Sequence, residues 1–537
     1  MLKPGLMIFV TVLLSTGGCT GQTANPIQSS PQRYGGGITR LTAPAGFRLD
    51  TDRNGILSDA DDSDDDWSWQ GKGAFVLPNL DDDDRDGKTD CSDDSINSTS
   101  DEEDLTLVAI SWKALDTADL EGLTLQLFAT ADSAPVKWFL RTSSGWTPVE
   151  NQISLAALQG GNSRKALLGL ETCAFASKDW DGFMTIRLQN ENDETIQTSR
   201  VRVSPFLMIP NTEKMETLFI SRDSSGKYGN SRMLFELFLP SLLSSVAVKT
   251  YNTDAWQEMW MQDTMEIGYA ESPTSRMHVV LNAPRGQDRF GRTLLAPDVG
   301  YIEVAQPRGQ DNPGDGWLDW FGNLEVSPST ATYPHGRIYY GADPDTGNTL
   351  HPDVVSFLEA QVLQKPIALD TGWLFIKHVD EMLTFWSSPA NSGFIAIMPS
   401  PALAAQSLGE ELDDYNTEIQ NRISNIVDGN AEQPPLAEVF GFGPDQLKML
   451  PLLYDEGEHG ATGRWSNPVN SVVVNKTLLY GRTGLPEAAN ALIKKTVRER
   501  FLLPLGVEDS AYQPRLGNVH CATNSLRRPP TRPFWQR

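Results

Sequence analysis

Hydrophobic and polar residues alternate in short runs over residues 105–203. Examples are 105–112 (LTLVAISW), 123–128 (LTLQLF) and 184–188 (MTIRL), each followed by turn-forming residues. Alternation places one face of a strand in a core and the other in solvent. The pattern predicts an antiparallel β-sandwich, and we assign residues 40–204 to this domain.

Beyond residue 204 the pattern changes to alternating helices and strands. Pro486 opens an amphipathic helical stripe made of Ala489, Leu492, Ile493, Val497 and Phe501. Strands are predicted at 277–281, 373–377, 393–398 and 469–474. The sequence therefore predicts a mixed α/β domain over residues 205–537.

The N-terminus has the pattern of an export signal. Lys3 precedes an apolar run at 6–14, which is too short to span a bilayer, and small residues lead to Cys19. We expect residues 1–19 to be a signal peptide with a bacterial lipoprotein site at Cys19, although Thr16 stands where that pattern usually has Leu. Ordinary secretion is the alternative.

Residues 20–39 are rich in Gly, Pro, Gln and Ser, which is typical of a flexible tether. With the signal, this tether predicts an exported protein, either periplasmic or at the cell surface. We expect the protein to contact the membrane only through an N-terminal lipid anchor.

Composition limits the function classes. The 537 residues are 39% hydrophobic, which is enough for real cores, and 70 Asp and Glu outnumber 44 Lys and Arg, giving a net charge of −26. Such a chain repels phosphate backbones, so no nucleic-acid partner is expected. Between Asp50 and Asp104 the sequence has 20 acidic and 4 basic residues. Uncompensated, these carboxylates would repel one another.

Two loops in the acidic stretch place oxygen-bearing side chains at alternate positions before a glycine. They are Asp50, Asp52 and Asn54 before Gly55, and Asp82, Asp84 and Asp86 before Gly87. Calcium prefers six to eight oxygen ligands, and the glycine permits the sharp turn that lets them converge. Neither loop is an EF-hand, because the twelfth position is Asp and no helices flank it. The spacing predicts calcium binding rather than a plain solvated run.

Three polar segments in the second domain carry side chains suited to catalysis. Trp260 and Asp263 would suit a delocalised cation, His378 and Asp380 follow a predicted strand, and Cys521 lies in turn-prone sequence. Taken singly, each is more often a structural residue. Cys91 and Cys173 are expected to be structural.

These segments resemble the protein-arginine deiminase family. The similarity includes 260–269 (WMQDTMEIGY), 321–328 (FGNLEVSP), 378–381 (HVDE), 519–524 (VHCATN), 527–529 (RRP), 50–55 (DTDRNG), 67–69 (WSW) and 71–74 (GKGA). The segments follow the family's order and cover about residues 45 to 537. The family's N-terminal domain has no counterpart, and the signal and tether stand in its place.

The resemblance implies a calcium-binding, immunoglobulin-like middle domain followed by a five-bladed α/β propeller, the pentein fold. It also implies calcium-dependent hydrolysis of peptidyl-arginine to peptidyl-citrulline and ammonia. Asp263 and Asp380 would each hold the guanidinium through paired hydrogen bonds. Cys521 would attack its carbon as a thiolate to form a thiouronium intermediate, and His378 would transfer protons.

Further residues are implied by the same resemblance. Trp260, Arg285 and Arg515 would contact the substrate. A calcium ion would be bound by the side chains of Gln262, Glu266 and Glu325 and by the backbone oxygens of Phe321 and Leu324. The family's second catalytic-domain calcium site looks depleted. Its acidic and polar positions correspond to Thr264, Asn282, Ala283 and Gly286, and Gln287 stands where some members have a second substrate-contacting Arg.

The expected partners are proteins or peptides with exposed arginine. Two alternatives stay open: a deiminase of free arginine or a small guanidine, and a calcium-binding surface protein whose catalytic set is vestigial. Turnover of a blocked arginine peptide would distinguish them.

Overall fold

The computed structural model describes residues 41–61, 66–131, 135–160, 163–222, 246–252, 259–286, 289–308, 316–388, 393–431 and 433–537. The predicted signal peptide, the tether and Gln287 lie outside the described residues. Among the described helices, none combines the length and the apolar character needed to cross a bilayer.

Ten strands make up the N-terminal half. They are β1 (Ala45–Arg48), β2 (Phe75–Val76), β3 (Thr106–Trp112), β4 (Thr124–Ala129), β5 (Val136–Thr142), β6 (Gly145–Val149), β7 (Gln152–Ser154), β8 (Lys165–Thr172), β9 (Phe183–Gln189) and β10 (Thr195–Val203). The three strands expected from alternation are confirmed as β3, β4 and β9.

The ten strands form two five-stranded sheets, ordered β1-β3-β8-β5-β6 and β2-β10-β9-β4-β7. Side chains from both sheets, such as Ile110 and Leu168 of the first and Leu125 and Ile186 of the second, share one buried core. The predicted two-layer sandwich is therefore present. Its pairing is antiparallel except where β2 runs parallel to β10.

Nineteen further strands are described in the C-terminal half. They are β11 (Leu207–Met208), β12 (Met215–Arg222), β13 (Ala247–Asn252), β14 (Met265–Glu271), β15 (Arg276–Asn282), β16 (Val299–Ile302), β17 (Leu324–Val326), β18 (Ile338–Asp343), β19 (Asn348–Thr349), β20 (Ile367–Asp370), β21 (Thr384–Ser387), β22 (Phe394–Ser400), β23 (Leu447–Pro451), β24 (Tyr454–Gly457), β25 (Gly460–Gly463), β26 (Val472–Val474), β27 (Thr477–Gly481), β28 (Leu503–Val507) and β29 (Thr523–Arg527).

Five small sheets of this half share one pattern. In each, a central strand (β12, β15, β18, β22 or β27) has an antiparallel and a parallel neighbour. The strand β18 also pairs antiparallel with the short β19. The antiparallel neighbours are β29, β14, β17, β21 and β26, in the same order. The hairpin β24-β25 stands outside this pattern. The structure thus contains a fivefold repeat that the residues themselves do not reveal.

Short helices pack around these sheets. Those described are Thr99–Asp104, Thr117–Glu121, Leu155–Leu158, Arg289–Arg292, Pro352–Ala360, Pro401–Leu408, Asp414–Asp428, Leu436–Phe440 and Glu487–Glu499. The last confirms the stripe predicted after Pro486, which is its N-cap, and buries Ala489, Ile493 and Val497. Including Phe501 in that stripe was wrong. It lies beyond the helix with a left-handed φ of 60°, and its side chain is 71% exposed.

The other predicted strands have mixed outcomes. Strands 277–281 and 393–398 are confirmed as β15 and β22, whereas only the end of 469–474 forms β26. The strand at 373–377 is wrong, because this segment is a loop with a single bridge from Leu374 to Ala461. Its apolar residues Trp373 and Leu374 are buried in a side-chain cluster instead.

Buried glutamine side chains join the two halves. The Gln361 amide donates to the Ala176 carbonyl oxygen at 2.9 Å and accepts from the Phe206 backbone N–H at 3.1 Å. In the acidic stretch, Asp81 accepts from the Asp298 backbone N–H at 2.9 Å. Paired buried polar groups of this kind fix the contact between the halves, since breaking them would leave donors and acceptors unsatisfied.

Candidate active site

The segments that carry the predicted catalytic residues all occupy the same place in the repeating sheets. Each directly precedes the antiparallel neighbour of a central strand: Asp263 precedes β14, Gly322 precedes β17, Asp380 precedes β21, Asn470 precedes β26 and Cys521 precedes β29. At these strand ends, Cys521, Asp380 and Asn470 form one group of contacts. Asp263 and Gly322 form a second group with His378.

Cys521 is 5% exposed and lies next to Asp380. Its sulfur is 3.4 Å from Asp380 Oδ2. The Asn470 side-chain amide donates to the same carboxylate oxygen at 2.9 Å and lies 3.1 Å from the sulfur. Asn470 Oδ1 accepts from the backbone N–H groups of His520 at 3.0 Å and of Cys521 at 3.2 Å. Asn470 therefore holds the nucleophile and the carboxylate against each other.

His378 and Asp380 are brought together by a short turn rather than by strand alternation. His378 is the N-cap of the 3₁₀ helix Val379–Glu381, and the preceding Lys377 has a φ of 66°. The His378 Nε2 atom is 2.8 Å from the Trp317 carbonyl oxygen, and its Nδ1 is 3.7 Å from Asp263 Oδ1. The turn thus places the His378 imidazole beside the Asp263 carboxylate.

Gly322 lies between His378 and Asp263. A Cβ added there would be 2.6 Å from His378 Nδ1 and 2.8 Å from Asp263 Oδ1, which is closer than side-chain carbons approach. Only glycine leaves room for both groups at this point. The sequence analysis did not single it out, although it lies within the quoted segment 321–328.

A pocket leads from the surface to the nucleophile. It is lined by Cys521, Asn470, Gly517, Leu516, Ile376 and Glu381 among others, and the hairpin β24-β25 forms one side. Asp263, His378 and Asp380 are buried and are not among the residues that line this pocket. The pocket gives a substrate side chain a route to Cys521.

The three predicted substrate-contacting residues are placed differently. The Trp260 ring packs on Gly517 and lies 5.6 Å from the Tyr512 ring. Arg285 stacks at 4.0 Å on Trp320 and lies 3.7 Å from Asp263 Oδ2, so it approaches the guanidinium site. Arg515 is exposed and donates at 2.5 Å to the Ala511 carbonyl oxygen of its own turn.

The site is strongly acidic. Burial raises the pKa of the Cys521 thiol well above its usual value, and the negative charges of Asp380, Asp263 and Glu381 raise it further. Burial likewise raises the pKa of Asp263, although His378 and Arg285 oppose the shift. Such an environment favours a bound cation and disfavours the thiolate in its absence.

The other two described cysteines lie away from this site, in the first half. The half-buried Cys173 thiol donates to the carbonyl oxygen of buried Cys91 at 2.8 Å.

Next to the active site, the predicted catalytic-domain calcium ligands surround a small cavity. Gln262, Glu266 and Glu325 line it, and its volume of ≈ 20 Å³ holds about one water-sized sphere. Gln262 hydrogen-bonds Glu266 and lies 3.4 Å from the Phe321 carbonyl oxygen. Leu324 begins β17, which carries Glu325.

These ligands fit a hard cation. Burial raises the pKa of Glu325 to about 7, and the negative charge of Asp380 also raises it. Burial and Glu325 raise the pKa of Glu266 well above its usual value. Two buried carboxylates with an amide and carbonyl oxygens are the donor set that calcium prefers. A cation would relieve their repulsion.

The residues at the depleted second site are hydrogen-bonded within the protein, and the Ala283 backbone N–H donates to the Thr264 carbonyl oxygen at 3.0 Å. The Thr264 hydroxyl donates to the Met261 carbonyl oxygen at 2.8 Å, and the Asn282 amide donates to the Ala283 carbonyl oxygen at 3.2 Å. Gly286 ends this described stretch. No carboxylate belongs to this set of four.

The two predicted acidic loops form clusters of carboxylate oxygens. Asp82, Asp84 and Asp86 place oxygens within 4.8 Å of one another, as do Asp50, Asp52 and Asp61. The Asn54 side-chain amide donates to Asp52 of the second cluster at 2.8 Å. The twelfth loop position therefore completes this group, a contact that the sequence analysis did not expect.

A third acidic cluster was missed. Asp81, Asp83 and Asp104 also place carboxylate oxygens within 4.8 Å, on the buried side of the same loop. Burial and Asp83 raise the pKa of Asp81 to about 8. Asp81 and Asp83 alternate with Asp82 and Asp84 along the loop, and this second alternation is the signal that could have found the cluster.

Comparison with known families agrees with the resemblance. A family model described as protein-arginine deiminase matches residues 194–435, and one described as its middle domain matches residues 46–190. The chain belongs to the protein-arginine deiminase family and is an enzyme of that family's hydrolase class, which acts on the guanidino group. Neither match reaches Cys521, so its role rests on the geometry.

Individual relatives in this family share less than a third of their aligned residues with this chain. Human protein-arginine deiminase type-4 is 28% identical over 542 residues, which cover 87% of this chain and 79% of the relative. Human protein-arginine deiminase type-1 is 26% identical over 573 residues, which cover 95% and 85%.

Solved structures show only remote likeness. The C. jejuni agmatine deiminase structure is 13% identical with a TM-score of 0.39, covering 60% of this chain and 96% of that one. An agmatine deiminase of Enterococcus faecalis is 12% identical with a TM-score of 0.35, covering 60% and 95%. These values carry no inference about mechanism.

Proposed function

We propose that this protein hydrolyses the guanidinium of arginine in peptides to the urea of citrulline and releases ammonia, in a calcium-dependent reaction. The observation that carries the proposal is two buried contacts, Cys521 to Asp380 at 3.4 Å and His378 to Asp263 at 3.7 Å. The pairs are near enough for the charge of Asp263 to raise the pKa of the buried Cys521 thiol. We infer that the five repeating sheets are the blades of a pentein propeller and that the sandwich is immunoglobulin-like.

The acidic site selects a guanidinium. Asp380 Oδ2 already accepts from Asn470, whereas its Oδ1 is buried and has no hydrogen-bond partner among the described residues. Asp263 Oδ1 is likewise buried and has no hydrogen-bond partner among the described residues. Two open carboxylate oxygens suit the planar N–H pairs of a guanidinium. For Asp263 to bind the substrate, Arg285 must turn away from it.

Substrate binding would also activate the nucleophile. The carboxylates that raise the pKa of Cys521 would be neutralised by the bound cation, so the thiolate forms once arginine is in place. The thiolate sulfur bonds to the guanidinium carbon, and the resulting tetrahedral adduct expels one nitrogen as ammonia. His378 protonates that nitrogen as it leaves.

Hydrolysis of the thiouronium completes the cycle. His378, now neutral, removes a proton from a water molecule, whose oxygen bonds to the same carbon. The carbon–sulfur bond then breaks, which returns Cys521 and leaves the urea group of citrulline. Overall, one water molecule is consumed and one ammonia molecule is released.

Bound calcium would supply positive charge that neutralises Glu266 and Glu325 and fixes the position of neighbouring Asp263. Gln262 and Glu266 lie on either side of Asp263 in the chain, so ordering them orders the guanidinium-binding carboxylate. The three acidic clusters of the first half would bind further calcium ions. We also propose export and an N-terminal lipid anchor, which would expose these sites to external calcium, where weak sites fill.

The two alternatives to this function can be separated by substrate. Purified protein is incubated with benzoyl-arginine amide, with an arginine-containing peptide and with free arginine, each with calcium. The proposal expects urea-group formation on the blocked amide and on the peptide. Turnover of free arginine alone would favour the small-guanidine alternative. No turnover of any would favour a calcium-binding surface protein.

A further inference from the structure

We propose that His520 is a positioning residue that couples the calcium site to the guanidinium-binding carboxylate Asp380. The inference rests on the proposed function. His520 precedes the nucleophile in the chain. Its imidazole lies between Asp380, which would hold the guanidinium, and Glu325, which would bind calcium. Its Nδ1 is 2.9 Å from Asp380 Oδ2, and its Nε2 is 3.2 Å from Glu325 Oε1.

The ring is held rigidly between these groups. The His520 side chain is 7% exposed, and the side chains of Glu325 and Asp380 are 7% and 2% exposed. The His520 backbone N–H donates to Asn470 Oδ1 at 3.0 Å. Since close-packed interiors transmit small displacements, a shift of the Glu325 carboxylate must move the ring or break its contact.

Three groups converge on one oxygen of Asp380. Nδ1 of His520, the Asn470 amide and the Cys521 sulfur all lie within 3.4 Å of Oδ2. This fixes the carboxylate plane and leaves Oδ1 to the substrate. Loss of the His520 contact would let the carboxylate rotate, so the guanidinium would lose a preset partner.

Glu325 is the group through which a cation would act on this arrangement. Its Oε2 accepts from Asn211 at 2.9 Å, while Oε1 faces His520. A cation that draws Glu325 toward Gln262 and Glu266 would set the position of Oε1. His520 is the direct contact between that carboxylate and Asp380. The relation is a coupling between two sites, so it must be reciprocal: calcium strengthens guanidinium binding, and a guanidinium strengthens calcium binding.

The test measures this coupling by binding and needs no turnover. In a Cys521→Ala background, which cannot react, the dissociation constant of benzoyl-arginine amide is measured by calorimetry in excess calcium and in chelator. The ratio of the two constants is the coupling factor, expected to be about 5- to 150-fold. Addition of His520→Leu should reduce the ratio to about one. His520→Gln keeps an N–H donor and should give an intermediate ratio.

A matched control separates coupling from general damage. His335 is another buried histidine, 6% exposed, in the turn before β18, where its carbonyl oxygen accepts from Gln364 at 2.7 Å. His335→Leu in the same background should lower the melting temperature and leave the ratio unchanged. The combination of Glu325→Ala with His520→Leu should weaken coupling no more than either alone, because both interrupt one path.

The outcomes are decisive and separable from those of the proposed function. A ratio that persists in both His520 variants would overturn the inference, as would a ratio of about one in the Cys521→Ala parent. If His520→Leu fails to fold, the ratio for His520→Gln decides. Citrulline formation by the unaltered protein, measured separately, tests the proposed function whatever the His520 result.

Discussion

Gly517 lies so close to Trp260 that a Cβ on Gly517 would be 2.4 Å from the indole ring. Gly517→Ala must therefore displace the ring that packs against this pocket-lining residue, at a cost of about 1 to 3 kcal/mol for overpacking. We predict a raised KM for blocked arginine, measured by steady-state kinetics. Gly160→Ala, where the added carbon meets nothing within 4 Å, is the control and should leave KM unchanged. An unchanged KM in Gly517→Ala would mean that Trp260 does not border the substrate.

The charge of the alkylating reagent should decide how fast Cys521 reacts. Burial raises the pKa of this thiol and the neighbouring carboxylates raise it further; a cationic reagent cancels the effect of the carboxylates. Because each pKa unit changes the thiolate fraction about tenfold, a haloacetamidine should react at least about tenfold faster than the neutral haloacetamide. Mass spectrometry of the modified peptides measures both rates. The half-buried Cys173 serves as the reference thiol and should show no such preference.

Equal rates for the two reagents at Cys521 would argue against substrate-assisted thiolate formation. Comparable labelling of Cys91 would argue against a uniquely activated nucleophile. Cys521→Ala should lose labelling at this position and all turnover.

Asp380→Asn should cost about 3 to 5 kcal/mol in kcat/KM, as expected when one partner of a buried ion pair is removed. Steady-state rates measure the loss. Glu271→Gln removes another buried carboxylate, one that pairs with Arg276 outside the site. That control should lower the melting temperature without changing kcat/KM of the folded protein. A normal rate in Asp380→Asn would mean that Asp380 does not hold the guanidinium.

Sequence alone was sufficient for the sandwich strands, because alternation is a local property. Motif segments also singled out four candidate catalytic residues, whose roles stay predictions. The fivefold repeat could be expected only from the family resemblance, since its units share strand pairing rather than residues. Asn470 was missed for the same reason: it precedes β26 as Asp380 precedes β21, but a lone Asn in a turn carries no distinguishing pattern. The wrong strand at 373–377 arose from apolar residues that pack in a loop.

Stability without calcium should fall as pH rises. Burial raises the pKa of Asp50, Asp90 and Glu171 to about 7 and that of Asp81 to about 8. These values exceed the unfolded ones, so the folded chain binds more protons and the free energy of unfolding decreases as pH rises through the folded pKa. We predict a lower melting temperature at about pH 8 than at about pH 5 in chelator.

Calcium should reverse this trend, because it binds the deprotonated carboxylates. Scanning calorimetry at both pH values, with calcium and with chelator, measures the effect. The largest stabilisation by calcium is expected at the higher pH. A melting temperature that rises with pH in chelator would show that these carboxylates are already ionised in the folded chain.

Glu325→Ala should raise the calcium concentration needed for half-maximal activity far more than it lowers the rate at saturating calcium. The reason is that Glu325 borders the cavity beside Asp263 and does not belong to the catalytic four. A calcium titration of initial rates measures both quantities. Asp84→Ala, in an exposed acidic loop, is the comparison and should shift the curve less. With Thr264 and Asn282 in place of acids, the activation curve should also show low cooperativity.

The most direct test of the account is product analysis of one reaction. The purified protein is incubated with an arginine-containing peptide in calcium and in excess chelator, and peptidyl-citrulline and ammonia are measured together. We predict equal molar amounts of the two products in calcium, none in chelator, and none with Cys521→Ala. Absence of citrulline in calcium, or full activity in chelator, would contradict the proposed calcium-dependent deimination.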